Sequence, residues 1–543
     1  MVFARRSTTL LAAIIASCAM VLSLTACTSD NKTVVDGQTT VTSNSAGGVA
    51  VFTPSDGITL NQQTPLNKWA KLVPDLAKAL ADAGFKKGDI DHTTSDSLDK
   101  QSRAIQDFVV DHLSNNTTDD SGIAIAPDNM TLLVAPVVEA DASTRQYGDY
   151  VSQNLSTNDV TDEGATSDGE SSEDDSSKDD SSNTESDSTA SDEQAQAVDR
   201  LVSSLKLAKE SGMHVVLLGN SIEGYKPDAF VKFSDAQTIG KLQAEKMVSK
   251  LKLDKASKDN PKYIEVLLPY TAVDEKGNAN DSTFAQEAFR GIWQVLGSYY
   301  QKGVVESPSG TLDGKSTEND WQAVAYDAAK EGSTAKVLDK RLAKTDGQST
   351  LTRIDGIITM NDYIASEVVK ELDDLGYTGS AADINPQITI SGIVGNITGK
   401  KDLSRDAVPD PIKSPENDNA NDSSSSDDDA DEDTSASDKD RDSQWPLVTG
   451  YGAYVSNIPS IVNGKQWMTG MEDRQTIATD IAQACAKLNK DEALNSMPSI
   501  RNSEVGGVKK IPPISEPLLA VSASNLKSAL IDPGYISLAD AGL

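Results

Sequence analysis

The chain has 543 residues, of which 83 are acidic and 49 basic, and its formal net charge at pH 7 is −34. A chain of this length is expected to form more than one lobe. The acidic excess argues against nucleic acid as a partner, because phosphate binding requires Lys and Arg to displace counterions.

The N-terminal residues have the features of an export signal. Arg5 and Arg6 precede an uncharged apolar run over residues 10–24, which is shorter than the ~20 residues of a stable membrane span. The sequence Leu24-Thr25-Ala26-Cys27 resembles the bacterial lipobox, whose cysteine receives diacylglycerol. We therefore predict a lipid on Cys27 that holds the protein on the extracellular face of the cell membrane and is its only contact with the membrane. An unmodified cysteine beside an ordinary cleavage site is the alternative.

Three segments are too polar to form a core. Residues 28–47 are rich in Ser, Thr, Asn and Gly, which is typical of a flexible tether. Residues 157–196 and 413–443 consist mainly of Ser, Asp, Glu and Asn and carry roughly two thirds of the acidic excess. Such segments cannot bury enough apolar surface to offset ordering entropy, so we predict two disordered surface insertions. Weak cation binding is the alternative, although no EF-hand spacing is present.

Between these segments, short apolar runs alternate with longer amphipathic stretches, as in βα units built around parallel sheets. The sequence thus predicts the α/β class. The predicted strands are 48–52, 131–136, 214–218, 262–267, 354–359 and 446–449. The predicted helices are 67–83, 97–113, 197–211, 236–251, 282–298, 361–374 and 473–487.

Catalytic and metal-binding patterns are weak in this sequence. Ser221 lies in a run whose second glycine comes one residue too late for a nucleophile elbow, and nearby His214 begins a predicted buried strand. The other histidines, His92 and His112, have no second His or Cys at a metal-ligand spacing. We predict that the protein is not an enzyme and uses no metal or cofactor.

Several motifs, taken in their shared order, resemble the type I periplasmic-binding-protein family, specifically the sugar receptors of ABC importers in the xylose and multiple-sugar branch. The resemblance runs from about residue 48 to 540, without the acidic insertions. It is carried by Lys68-Trp69, Val134-Ala135-Pro136, residues 231–235 with Gly240 and Gln243-Ala244, residues 354–362, residues 446–450, Gly464-Lys465-Gln466 with Met468-Thr469, and residues 517–521 with Asn525.

This resemblance implies two Rossmann-like lobes with parallel sheets, joined by three chain crossings, that close on a ligand. By this resemblance Trp69 stacks on a sugar beside Lys68, and Asn361 hydrogen-bonds hydroxyls from the second lobe. Each has a structural alternative: Trp69 fills the core, Lys68 is a solvated charge, and Asn361 caps the helix that follows. For the cap itself we favour Asp362 over Asn361.

Elsewhere the family's charged and amide positions are changed. Asn220 follows a glycine where relatives have Asp-Arg, Thr283 and Phe284 replace Asn-Asn, and Tyr451 stands in place of Gln. The predicted ligand site is therefore Lys68, Trp69, Asn220, Thr283, Phe284, Asn361 and Tyr451. Its aromatic character predicts a ligand with stackable surface, such as an oligosaccharide, a glycoside or a nucleoside-like compound.

The predicted organisation is a signal peptide (1–26), a lipidated cysteine and tether (27–47), lobe 1 (48–232), lobe 2 (233–470) and a C-terminal return to lobe 1 with a closing segment (471–543). The predicted function is that of a monomeric, lipid-anchored solute receptor that delivers a small, carbohydrate-like ligand to an ABC permease. The alternative is a receptor-derived sensory or interaction lipoprotein whose pocket has degenerated.

Overall fold

The structure is a computed structural model that describes residues 46–55, 65–115, 125–138, 145–151, 154–155, 185–273, 280–343, 351–381, 445–500, 511 and 513–543. All of them belong to one compact unit, which runs from residue 45 to 543. The predicted signal peptide, Cys27, most of the predicted tether and the acidic segment 413–443 lie outside the described residues. So does the acidic segment 157–196 up to residue 184.

Within these ranges the structure forms sixteen strands and nine α-helices. The strands are β1 (Gly48–Pro54), β2 (Ile90–Ser95), β3 (Met130–Val134), β4 (Asn154–Leu155), β5 (His214–Leu218), β6 (Ser221–Ile222), β7 (Ala229–Val231), β8 (Lys262–Val266), β9 (Leu268–Pro269), β10 (Val305–Glu306), β11 (Ala325–Tyr326), β12 (Gly356–Ile358), β13 (Leu447–Thr449), β14 (Met468–Met471), β15 (Pro513–Ile514) and β16 (Leu519–Ser522). The helices are α1 (Trp69–Asp82), α2 (Leu98–Asn115), α3 (Glu185–Glu210), α4 (Ala236–Lys250), α5 (Thr283–Gln301), α6 (Ser333–Arg341), α7 (Asp362–Asp374), α8 (Ile458–Val462) and α9 (Arg474–Leu488).

Two parallel sheets organise the chain. The first has the strand order β15-β7-β5-β3-β1-β2, and the second has the order β10-β8-β12-β13. Every strand pair within these two sheets is parallel. The predicted α/β class with parallel sheets is confirmed. In each sheet the first strand along the chain lies second from one edge, so the strand order reverses direction there, which is where open α/β sheets place their ligands.

The chain passes between the sheets three times, in agreement with the number of crossings predicted. It leaves the first sheet after β7, returns from β13 to β15, and leaves again through β16. Strand β16 pairs antiparallel with β14. The residues after β16 then pack in one apolar cluster with Ile458 and Ile461, which follow β13. The lobe boundaries at residues 232 and 470 stay predictions.

Alternate residues of the first sheet face opposite helical layers, as the two-residue period of a strand requires. Val49 and Val51 of β1 pack in one cluster with helices α1 and α9. Ala50 and Phe52 pack in a second cluster with α2 and α3. The second sheet is covered in the same way, by α4 and α5 on one face and by α6 and α7 on the other.

The predicted start of α3 at residue 197 is wrong, because the helix begins at Glu185. Residues 185–196 therefore belong to this helix rather than to a disordered insertion. In the part of the chain that the structure describes, no helix has both the length and the apolar composition of a membrane span.

Candidate functional site

The loops that follow the strands of the two sheets meet each other. Ser234, which follows β7, forms a 2.5 Å hydrogen bond between its Oγ and the hydroxyl of Tyr451, which follows β13. The parallel strands of both sheets thus direct their carboxyl ends toward one region. In open α/β sheets this is the edge at which ligands bind, so the topology defines the candidate site.

One stretch of the chain lies between the two sides of this region. We call residues 146–150, which come from the long connection between β3 and β5, the clasp. Its Asp149 accepts a 2.7 Å hydrogen bond from Lys68 Nζ and a 3.1 Å bond from the backbone N–H of Trp69. The backbone N–H of Asp149 donates to the carbonyl of Asn67 at 2.8 Å. The clasp is therefore held at the start of α1, on the side of the first sheet.

Aromatic rings complete this attachment. Tyr150 stacks on Phe233 with ring centroids 4.8 Å apart, and it meets the ring of Trp69 edge-on at 5.1 Å. Trp69 is only 3 % exposed and packs in the core cluster of α1 and α9. The rings of Trp69 and Phe233 could stack on a sugar if they were accessible, but here both contact the ring of Tyr150 instead.

The other end of the clasp contacts residues of the second sheet. Asn361 Nδ2 donates to Gln146 Oε1 at 3.0 Å, and the hydroxyl of Tyr454 donates to the carbonyl of Gln146 at 2.7 Å. Tyr147 is 1 % exposed, and its ring lies 4.7 Å from that of Phe284 and 6.2 Å from that of Tyr451, centroid to centroid. Burial raises the pKa of Tyr147, so its hydroxyl stays neutral beside Asn361.

The structure thus brings five of the seven predicted site residues together around the clasp: Lys68, Trp69, Phe284, Asn361 and Tyr451. Asn220 is buried beside the first sheet, where its Nδ2 donates to the carbonyl of Pro136 at 3.0 Å. Thr283 is exposed at the start of α5 and donates from its N–H and Oγ to Asp281 Oδ1. The partners in these bonds, Pro136 and Asp281, do not belong to the clasp.

The structure also tests the structural alternatives given above for Trp69, Lys68 and Asn361. Trp69 does fill the core, and Lys68 is not an ordinary solvated charge, because its side chain is 18 % exposed and paired with Asp149. Asn361 is the N-cap of α7, since its Oδ1 accepts from the backbone N–H of Ile364 at 2.9 Å. The expectation that Asp362 caps this helix is wrong.

Asp362 is instead a fully buried acceptor. Its carboxylate receives hydrogen bonds from Thr469 Oγ1 at 2.8 Å, Gln466 Nε2 at 2.7 Å and the backbone N–H of Tyr454 at 2.9 Å. Desolvation by burial is the largest influence and raises the pKa of Asp362 to about 6, although these bonds oppose it. The carboxylate fixes the loop after β13, which carries Tyr451 and Tyr454.

Glu472 is a second buried carboxyl group at this site, and the sequence did not indicate it. It follows β14 and accepts from the backbone N–H of Ser234 at 2.6 Å and from the hydroxyl of Tyr451 at 3.4 Å. Burial raises its pKa to about 7. The burial of Glu472 depends on tertiary packing, which the local sequence does not reveal. The only sequence signal is its position in the short polar interval between β14 and α9.

The arrangement gives no support to catalysis by Ser221. Ser221 Oγ donates to Asn154 Oδ1 at 2.9 Å, whereas His214 Nε2 lies 3.2 Å from the carbonyl of Asp128. His214 begins β5 and Ser221 follows its far end, so the length of the strand separates them. Across the described ranges, no group of three or more His, Cys, Asp or Glu residues is placed to hold a metal ion.

The fold and the site together define an α/β protein with two parallel sheets and an aromatic, amide-lined region between their carboxyl ends. No protein-family model and no curated protein matches the chain. Solved structures do. A solute-binding protein of an ABC transporter from Clostridium phytofermentans, with bound β-D-glucose, is 18 % identical with a TM-score of 0.43, and the match covers 91 % of this chain and 99 % of that one.

Two further solved structures are similar. A carbohydrate-transporter solute-binding protein from Chloroflexus aurantiacus, in complex with D-glucose, is 18 % identical with a TM-score of 0.42, covering 92 % of this chain and 98 % of that one. An ABC-transporter solute-binding protein from Actinobacillus succinogenes, with bound D-allose, is 11 % identical with a TM-score of 0.39, covering 89 % and 99 %. The fold itself is defined by the order of the strands in the two parallel sheets.

Proposed function

We propose that the protein is a solute-binding receptor, anchored by a lipid on Cys27 to the extracellular face of the cell membrane, that passes a carbohydrate-like ligand to an ABC permease. One observation carries the proposal: five residues predicted from the sequence as ligand contacts converge between the carboxyl ends of two parallel sheets. A region of this kind is the usual ligand site of such sheets.

The side chains of the region indicate the chemistry of the ligand. Phe284 is half-buried and offers an aromatic ring, while Asn361 offers an amide that both donates and accepts. A ring binds the C–H faces of a sugar or the plane of a base, and an amide binds hydroxyls. The proposed ligand therefore combines a stackable surface with hydroxyl groups, as oligosaccharides, aryl glycosides and nucleosides do.

Titration calorimetry and thermal unfolding test this proposal. The full mature chain is titrated with xylose, glucose, oligosaccharides, aryl glycosides and nucleosides. A ligand present at 100 times its Kd stabilises the folded state by ~2.7 kcal/mol, which raises the unfolding temperature measurably. We expect this for ligands that carry a planar group and expect weaker binding of free monosaccharides.

A matched pair of variants locates the binding. Phe284→Leu removes the ring from the candidate site but keeps an apolar side chain, and it should weaken binding about tenfold. Phe108→Leu removes a half-buried ring that meets Phe52 on the far side of the first sheet, and it should leave the affinity unchanged. Equal affinities of the two variants would place the ligand elsewhere.

A specific observation favours a second candidate, a sensory or interaction lipoprotein derived from such a receptor. Tyr147 and Tyr451 are 1 % and 0 % exposed, so rings of the protein fill the place of a ligand. The two candidates differ in their response to solutes. A receptor binds a solute either directly or after the clasp is weakened, whereas a degenerate receptor binds none in either case.

A further inference from the structure

We propose that residues 146–150 are an internal ligand, which occupies the candidate site, bridges the two sheets in the absence of solute, and competes with any solute for that place. The location of the site rests on the proposed function. The bridging itself does not, because it follows from contacts that the clasp makes with both sides.

The clasp is fixed on the side of the first sheet by a specific backbone geometry. Gly148 has a φ of +97°, and a Cβ at this position would lie 2.5 Å from the carbonyl oxygen of Asn67. Only glycine combines this φ with such a close approach. The turn at Gly148 directs Asp149 to Lys68, whose side chain is 18 % exposed, so the ion pair is only partly screened by solvent.

On the side of the second sheet, the clasp makes the types of contact that a solute would make. The amide of Gln146 accepts from Asn361, and its carbonyl accepts from Tyr454. The ring of Tyr147 contacts Phe284 and Tyr451. These are hydrogen bonds to an oxygen and contacts with a planar face, which is the chemistry of a hydroxylated ring ligand.

An internal segment has a thermodynamic advantage over a free solute. Because it belongs to the same chain, it meets the site at a high effective concentration and is always present. The apparent Kd of a solute equals its intrinsic Kd divided by the fraction of molecules whose site is vacant. If the clasp vacates the site in one molecule in ten or fewer, solute affinity falls at least tenfold.

The test uses the full chain and the variant Tyr147→Ala, with Tyr225→Ala as the matched control. Tyr225 is also buried, at 4 % exposure, but it packs between the first sheet and α3. Both variants lose a buried tyrosine, so both should unfold at a lower temperature. They differ in whether the lost ring belongs to the segment that bridges the two sheets: Tyr147 is part of the clasp and contacts Phe284 and Tyr451, whereas Tyr225 is not part of it.

Two measurements separate the variants. Amide hydrogen exchange is followed by mass spectrometry for peptides that contain residues 66–70 and 451–454, which lie on opposite sides of the clasp. We expect Tyr147→Ala to accelerate exchange in both peptides at least tenfold and Tyr225→Ala to leave them near the wild-type rate. Solute affinity from calorimetry should rise at least tenfold in Tyr147→Ala alone.

The outcomes are distinct. Unchanged exchange in Tyr147→Ala, or equal acceleration in both variants, overturns the internal ligand, as does an equal solute affinity of wild type and Tyr147→Ala. Selective acceleration without solute binding by any variant supports the bridge and overturns the receptor function instead. If Tyr147→Ala fails to fold, Asp149→Ala releases the clasp from Lys68 and should give the same pattern with a smaller amplitude.

Discussion

At the scale of single residues, Glu472 couples the candidate site to pH. It is 1 % exposed, and burial raises its pKa from the ordinary value of 4.5 to about 7. Between these two values the folded state binds more protons than the unfolded state, so the free energy of unfolding falls as pH rises. The stability from this group is fully present below pH 4.5 and is lost as pH rises through about 7.

The variant Glu472→Gln cannot ionise but keeps an oxygen that accepts from the N–H of Ser234. We therefore expect its free energy of unfolding to lack the decrease that Glu472 causes as pH rises. Denaturant unfolding at a series of pH values should show the variant gaining roughly 3 kcal/mol relative to wild type between pH 4.5 and 7, and a constant difference above that. Asp362 is present in both proteins, so its contribution to the pH dependence of the free energy of unfolding cancels in the comparison. Glu245→Gln, on the exposed face of α4, serves as the control. A difference that does not depend on pH would contradict the raised pKa of Glu472.

The site was only partly predictable from its residues. Trp69, Phe284, Asn361 and Tyr451 could be chosen because the resemblance to the sugar-receptor family implies that their positions contact the ligand. The clasp could not, because its position depends on contacts with residues 80 or more positions away, such as Lys68 with Asp149 and Asn361 with Gln146. A turn with Gly148 and flanking tyrosines is a weak signal by itself.

At the scale of elements, helices α4 and α5 approach each other closely enough for their backbones to touch. A Cβ on Gly291 of α5 would lie 2.0 Å from the carbonyl oxygen of Gln237, and one on Gly240 of α4 would lie 2.2 Å from that of Ala288. Both neighbours are backbone atoms, so neither can move without separating the helices. This contact supports the apolar cluster beneath the second sheet.

Gly291→Ala should consequently destabilise the protein. Alanine gains about 1 kcal/mol over glycine in a helix, but forcing two packed helices apart costs more, and we expect a net loss of about 2 kcal/mol. Denaturant titration measures the loss. Gln294→Ala, on the exposed face of the same helix, should change stability by a few tenths of a kcal/mol. A Gly291→Ala variant as stable as wild type would show that the helices can separate at little cost.

The elements themselves were largely predictable where an apolar pattern is strong. Strand β5 and helices α4 and α7 match their predicted ranges within one residue at each end, because β5 is a continuous apolar run and the two helices begin directly after the capping residues Asp235 and Asn361. Strand β2 was not predicted. Its sequence, Ile-Asp-His-Thr-Thr-Ser, is mostly exposed, and it is a strand because it pairs with β1 at the edge of the first sheet. Edge pairing of this kind depends on the partner strand rather than on local pattern.

At the scale of the whole molecule, the net charge and the proposed lipid anchor act in opposite directions. The net charge of −34 repels the protein from the anionic surface of a membrane over a distance of about 10 Å at 0.1 M salt. Retention at the membrane would then depend on the lipid alone. A single acyl chain binds reversibly, whereas the two chains of a diacylglycerol are sufficient for stable anchoring.

Replacing Cys27 by serine should therefore release the protein from the membrane, because serine cannot form the thioether to diacylglycerol. In cell fractionation and detergent phase partitioning, wild type should be found with membranes and in the detergent phase, and Cys27→Ser in the aqueous phase. Cys485→Ala is the matched control, since Cys485 is buried in α9 and its loss leaves the proposed lipidation site intact.

Because the acidic body contributes no attraction to the membrane, the release of Cys27→Ser from the membrane should be complete and should not depend on salt. Membrane retention of Cys27→Ser would show that another attachment exists and would remove the support for an anchor at this residue.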